Sequence, residues 1–191
     1  MSEPFIFKVV LRNRSRFPID IVWENARDLE HVAVLHRRTN VSFQMIDFDP
    51  DPTGGHPYLA MTFRVRRRLL GFLQTSNFGR RRIAGDYEIH QIDFNPLFGV
   101  TTFLRSRLER CEDNPGETWM IDEVRIRMPR WLSPLRGLFE SALRRHTRIQ
   151  CAEDEPFRER RVELARRGIR LPLSLLNAPL WNRGFPATRE R

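Results

Sequence analysis

Between Glu24 and His36 the chain places an amide, a carboxylate and two imidazoles in the order Asn25-x2-Asp28-x2-His31-x4-His36. Two neutral imidazoles and one carboxylate on a face of a metal leave coordination positions open. Mononuclear non-haem Fe(II) uses that arrangement for oxygen chemistry. On an ideal helix a spacing of five turns the second histidine about 140° away from the first. Joint ligation therefore requires the helix to end or bend between His31 and His36. The question for the rest of the chain is whether it supplies a third ligand and a pocket.

The elements that must position these groups follow from hydrophobic period. Residues 5–11 are β-branched and aromatic and read as a first strand. Pro18 stands at a helix start, and Ile19, Val22, Ala26, Leu29 and Val32 recur at helical spacing up to about His36. From residue 41 the period changes to two, with strands expected near 41–48, 59–66, 69–78, 84–94, 99–109 and 118–128. Turn residues separate them, including Asp49 to Gly55, Gly79-Arg80, Asn95-Pro96 and Asn114-Pro115-Gly116. After Pro129 one long helical stripe runs through Trp131, Leu135, Leu138 or Phe139, Ala142 or Leu143, His146, Ile149 or Gln150, and Glu153 or Asp154. Pro156 is expected to kink or restart this helix, and Gly168 to cap it.

That order predicts an α+β helix-grip fold: a curved antiparallel sheet of about six to seven strands around a long C-terminal helix, with a cavity between them. Residues 1–170 form a single domain in this reading, and 171–191 an extended C-terminal arm that packs on another surface, such as a second subunit of a homo-oligomer.

Composition narrows the function classes. At 191 residues the chain can bury a sizeable core. Its two cysteines, Cys111 and Cys151, lie far apart, which excludes a disulfide framework and a cysteine-bound zinc or iron–sulfur site. The net charge of +9 is almost wholly arginine, Lys8 being the only lysine. The arginines are spread along the chain and favour a solvated or partner-docking surface over nucleic-acid binding. No run approaches the roughly 18 apolar residues of a membrane span. The expectation is a cytoplasmic protein with no membrane partner.

The run Asn25-x2-Asp28-x2-His31-x4-His36 resembles the iron-binding segment in the catalytic domains of Rieske non-haem iron (aromatic-ring-hydroxylating) oxygenases. Those domains also have the helix-grip fold of the START/Bet v 1-like superfamily. Their third ligand is an aspartate on the long C-terminal helix, and Glu153-Asp154-Glu155 followed by Arg158, Arg160 and Arg161 resembles its setting. The resemblance implies Fe(II) held by His31, His36 and Asp154, with Asn25 and Asp28 behind them to orient ligands and relay protons or electrons. It implies O2-dependent oxidation of an apolar, aromatic-type small molecule. The [2Fe–2S] domain of that family has no counterpart here, so electrons must come from a separate ferredoxin, Rieske protein or reductase.

A different class uses the same cavity without redox chemistry: a metal-free START-like carrier of hydrophobic ligands, or a polyketide cyclase-like protein. In either reading His90, His146, Phe43, Phe63 and Phe103 are candidate ligand contacts. Each also reads as an ordinary structural residue.

Overall fold

The computed structural model describes residues 3–28, 40–53, 58–69 and 73–169. Seven strands form one antiparallel sheet: β1 (Phe5–Ser15), β2 (Asn40–Asp49), β3 (Ala60–Leu69), β4 (Leu73–Gly85), β5 (Glu88–Asn95), β6 (Val100–Arg110) and β7 (Thr118–Met128). Their spatial order is β1-β7-β6-β5-β4-β3-β2. Each of β2 to β7 therefore pairs with its neighbour in sequence, as short hairpin connections dictate, and β1 returns to the free edge of β7. Helix α1 (Ile19–Arg27) follows β1, and a 3₁₀ turn (Arg130–Leu135) leads into helix α2 (Arg136–Arg166).

Two expectations are corrected. The β4 strand runs unbroken through Gly79-Arg80, and the chain turns at Asp86-Tyr87 instead. Gly79 is demanded by packing, since a Cβ there would collide with the Phe63 ring and the Asp93 carboxyl. Helix α2 also continues past Pro156 as one 31-residue element. Gly168 ends it as expected, with φ at +73°, a conformation that glycine adopts without steric cost.

Register assigns the two faces of the sheet. Residues Phe7, Val9 and Leu11 of β1 stand opposite Ile126, Val124 and Asp122 of β7, and these side chains turn toward α2. With Val100, Met128 and Leu132 most of them form a buried cluster, against which Phe139 and Leu143 of α2 pack. Burying each such side chain stabilises the fold by about 1.5–3 kcal/mol. At the far edge Phe43, Met45, Tyr58, Met61, Phe63 and Val65 form a second cluster. A third joins α1, through Ile19, Val22 and Trp23, to Ile89 and Leu108. The 171–191 arm, which the sequence places on another surface, lies outside the described residues. Among those residues no helix is long and apolar enough to cross a membrane.

Candidate functional site: the concave face beneath the long helix

Continuing the register across the middle strands puts a different chemistry on the same concave face. Asp122 pairs with Ser106, Ser106 with Ile89, Leu104 with Gln91, and Gln91 with Arg81. One row further, Asp93 stands between Thr102 and Gly79. Polar side chains thus interrupt the apolar wall over β4, β5, β6 and the middle of β7. Asp93 accepts a hydrogen bond from Gln91 Nε2 at 2.8 Å, while its Oδ1 is buried and has no partner. Arg81 donates to the Ala26 carbonyl at the C-terminal end of α1 over 2.7 Å, and its Nε is likewise buried without a partner.

Burial pushes the Asp93 carboxyl above the ordinary aspartate range, against the pull of Arg67, the Gln91 hydrogen bond and Arg81. Burial raises Asp122 in the same way, opposed by its hydrogen bond to Ser106 and by Arg81. Both residues are half-buried. Tyr58 is fully buried near Arg81 and Arg27, with its hydroxyl raised by burial and unpartnered. Perturbed acids beside arginines in a concave setting are characteristic of functional sites.

At one end the concave face opens into a cleft of about 430 Å³ between the end of β1, β7 and α2. Phe17, Met120, Cys151 and Ala152 supply its apolar lining. Burial lifts the Cys151 thiol to about 11, so it stays protonated near neutral pH and is no nucleophile.

Of the residues singled out for iron, Asn25 lies on α1, Asp28 directly follows it and Asp154 lies on α2. Asp154 is buried and accepts from Arg158 Nη2 at 3.0 Å. Asp28 is held by Arg161, which also reaches Glu24 at 3.5 Å. Asn25 is buried on α1, and its Oδ1 has no partner among the described residues. Both carboxylates therefore already carry a guanidinium, Asp154 from Arg158 and Asp28 from Arg161. Among the described residues no group of three His, Cys, Asp or Glu side chains is placed to hold a metal. His31 and His36 lie outside them. The described environment offers iron one carboxylate already paired with a cation.

The remaining candidates divide. Phe43 and Phe63 are on the concave side, stacked at 5.2 Å within the second core cluster. His146 is half-buried on α2, about two turns before Asp154. His90 is corrected: it lies on the convex face, bonded to Glu88 and, at 3.2 Å, to Arg82. Phe103 is corrected as well, since it faces outward with Arg125 stacked 4.7 Å from its ring centre. Sequence reasoning missed Arg81, Asp93, Gln91, Asp122, Arg158 and Arg161. Only Asp154 and Arg158, four apart on a helix, left a signal, as an i,i+4 pair.

Neither a protein-family model nor a curated protein matches the sequence. Solved structures do match in shape. The Zhui aromatase/cyclase from Streptomyces sp. R1128 superposes with a TM-score of 0.63 at 14% identity, over 83% of this chain and 96% of its own. Ara h 8.0201 gives 0.61 at 10% identity, over 81% and 98%. This is the helix-grip fold. Norcoclaurine synthase from Thalictrum flavum gives 0.60 at 7% identity, over 80% and 87%. At these identities the likeness establishes the Bet v 1-like architecture and the position of the concave face. None of the three is named as an oxygenase.

Proposed function

We propose that this chain binds an apolar, aromatic-sized small molecule carrying hydrogen-bonding oxygens, between the concave face and α2, and that it needs no metal to do so. One observation carries the reading. The concave wall is apolar at both edges but mixed over its middle strands, where Asp93 Oδ1 and Arg81 Nε are buried without partners among the described residues, as is Tyr58 Oη in the far-edge cluster. A core built only for stability leaves few such groups, because each costs about 1–3 kcal/mol. A pocket with apolar walls and a few converging polar groups suits an oriented organic ligand.

The arrangement supports a cyclase-like role as well as carriage. A carboxyl whose pKa burial raises is a better proton donor to a ligand oxygen than an ordinary one, and a neighbouring guanidinium can stabilise negative charge that develops there. Asp93 and Arg81 are the residues assigned to those two roles. The likeness to an aromatase/cyclase and to norcoclaurine synthase, proteins named for chemistry on organic molecules, is consistent with this reading.

The iron-dependent oxygenase is the second reading, supported by the burial of Asn25 on α1 and of Asp154 on α2. One experiment separates the two. Protein stripped with a chelator is titrated with 2-naphthol by calorimetry, and iron content is measured after anaerobic loading with Fe(II). The ligand-binding reading expects saturable 2-naphthol binding by the stripped protein and no stoichiometric iron. About one iron per chain, lost in His31→Ala and Asp154→Ala, would establish the oxygenase reading instead.

A further inference from the structure

The arginines lie scattered along the chain, yet hairpin register gathers many of them on the convex face of the sheet. One row across β3 to β7 reads Arg64, Phe78, Phe94, Thr101 and Arg127. The row beside it reads Thr62, Arg80, Ile92, Phe103 and Arg125, and continues to Lys8 of β1. Neighbours within a row stand about 4.8 Å apart, so the four apolar side chains form one island with cations at both ends. Phe78, Ile92 and Phe94 are 41%, 47% and 43% exposed, and large apolar groups gathered on a surface mark a place where something binds.

Charge on these two rows is one-sided. Their only carboxylate is Asp47, on the outer strand β2. Arg64, Arg125, Arg127 and Lys8 are exposed and have no ion pair among the described residues, and Arg80 reaches Asp49 only at 3.8 Å. The next carboxylates along the middle strands, Glu88 and Glu123, are matched by Arg105 and Arg107. Arg64 lies 5.6 Å from the Phe78 ring centre and Arg125 lies 4.7 Å from that of Phe103. Phe94, between them, has no cation over its ring among the described residues.

We infer that the convex face binds a single-stranded nucleic acid, with bases stacked on Phe94 and Phe78 and phosphates held by Arg64, Arg80, Arg125 and Arg127. Exposed aromatics within a cationic surface supply both contacts such a chain needs, a π-face for each base and positive charge for the phosphates. Guanidinium groups suit phosphate oxygens because they donate two parallel hydrogen bonds. A second copy of the same face would be repelled, cation against cation. A flat bilayer would meet a convex sheet only along its crest, whereas a flexible strand follows the curvature. The face lies on the opposite side of the sheet from the proposed ligand pocket and is independent of it.

The test is fluorescence anisotropy across a range of salt, with a labelled oligouridylate of about 12 nucleotides. Log affinity should fall against log salt with a slope of about −3, since each phosphate contact on a single strand contributes roughly −0.7 and four cations here lack an ion pair. Phe94→Ala should weaken binding at least fivefold with the slope unchanged, because it removes stacking and no charge. Arg127→Ser should weaken binding and make the slope shallower by about 0.7. Arg145→Ser removes the same charge from an exposed position on α2, behind the sheet, and should change neither. Circular dichroism checks that each variant is folded. Phe94→Ala with wild-type affinity, or equal losses from Arg127→Ser and Arg145→Ser, would reduce the binding to overall charge and overturn the site. Polyglutamate of similar length bound as tightly as the oligonucleotide would do the same. Binding to phosphatidylglycerol vesicles with none to the oligonucleotide would make the face a membrane contact and overturn the inference.

Discussion

The two halves of one concave face contrast sharply. From Phe7 to Leu11 of β1 and along the end of β7 the inward positions are Phe7, Val9, Leu11, Val124, Ile126 and Met128, all buried and packed against α2. Along β4, β5 and β6 the positions of the same parity mix Ile83, Ile89, Leu104 and Leu108 with the polar Arg81, Gln91, Asp93, Thr102 and Ser106. Backbone geometry, pairing and curvature are shared, so the difference lies in what each half must satisfy. The first half satisfies itself, since methyl groups need only neighbours. The second leaves buried polar atoms open, which a fold retains when something else completes them. The apolar half builds the sheet-on-helix body, and under the proposed function the polar positions serve a guest.

Substitutions can break that division. The largest stability effect is expected from Met128→Ala, a fully buried side chain in the apolar half. It should cost about 2–5 kcal/mol, read by urea denaturation, and leave the affinity for 2-naphthol within twofold. Gly79→Ala should cost about 1–3 kcal/mol because the new methyl must displace Phe63 or Asp93. It should also weaken 2-naphthol binding, since Asp93 is one of the displaced groups. A Gly79→Ala protein with wild-type affinity would show that the polar half is packing only.

The smallest effect belongs to the convex face. The Arg105 hydrogen bonds, helped by His90 and opposed by partial burial, hold the Glu88 carboxyl down to about 2 from its ordinary 4.5. A depressed carboxylate pKa favours the folded state above the ordinary value, and that contribution disappears as pH falls from about 4.5 toward 2. Glu88→Gln should therefore cost under about 1 kcal/mol near neutral pH, with the difference vanishing in acid and ligand affinity unchanged.

Much of the body was legible in the sequence. Alternation marked seven strands and the apolar stripe marked the long helix, on which Asp154 is buried although Trp131, Leu135 and Leu138 of the same stripe are exposed. The misreadings have physical causes. Gly79 reads as a turn residue, yet its missing Cβ makes room for Phe63 and Asp93 in mid-strand. Pro156 reads as a breaker, yet the helix carries it. Isoleucines occupy both parities in Ile89-His90-Gln91-Ile92, so hydropathy could not show that His90 faces outward. The polar half stayed hidden for a related reason: in Arg80-Arg81-Arg82 the inward arginine is identical to its outward neighbours. Only hairpin register separates them, and that register was misplaced by the false turn at Gly79.

The central claim is that the polar half exists for a ligand. It is tested most directly by measuring the thermal midpoint and the 2-naphthol affinity of Asp93→Asn at pH 8. The Asp93 pKa is raised by burial, so the folded chain holds a proton that the unfolded chain releases. Its contribution to stability is present below the ordinary aspartate value and is lost as pH rises through the raised one. Asparagine removes that loss, so at pH 8 the variant should be as stable as the wild type or more so, and should bind 2-naphthol at least tenfold more weakly. A variant that melts earlier but binds as tightly would contradict the account and make Asp93 a structural residue.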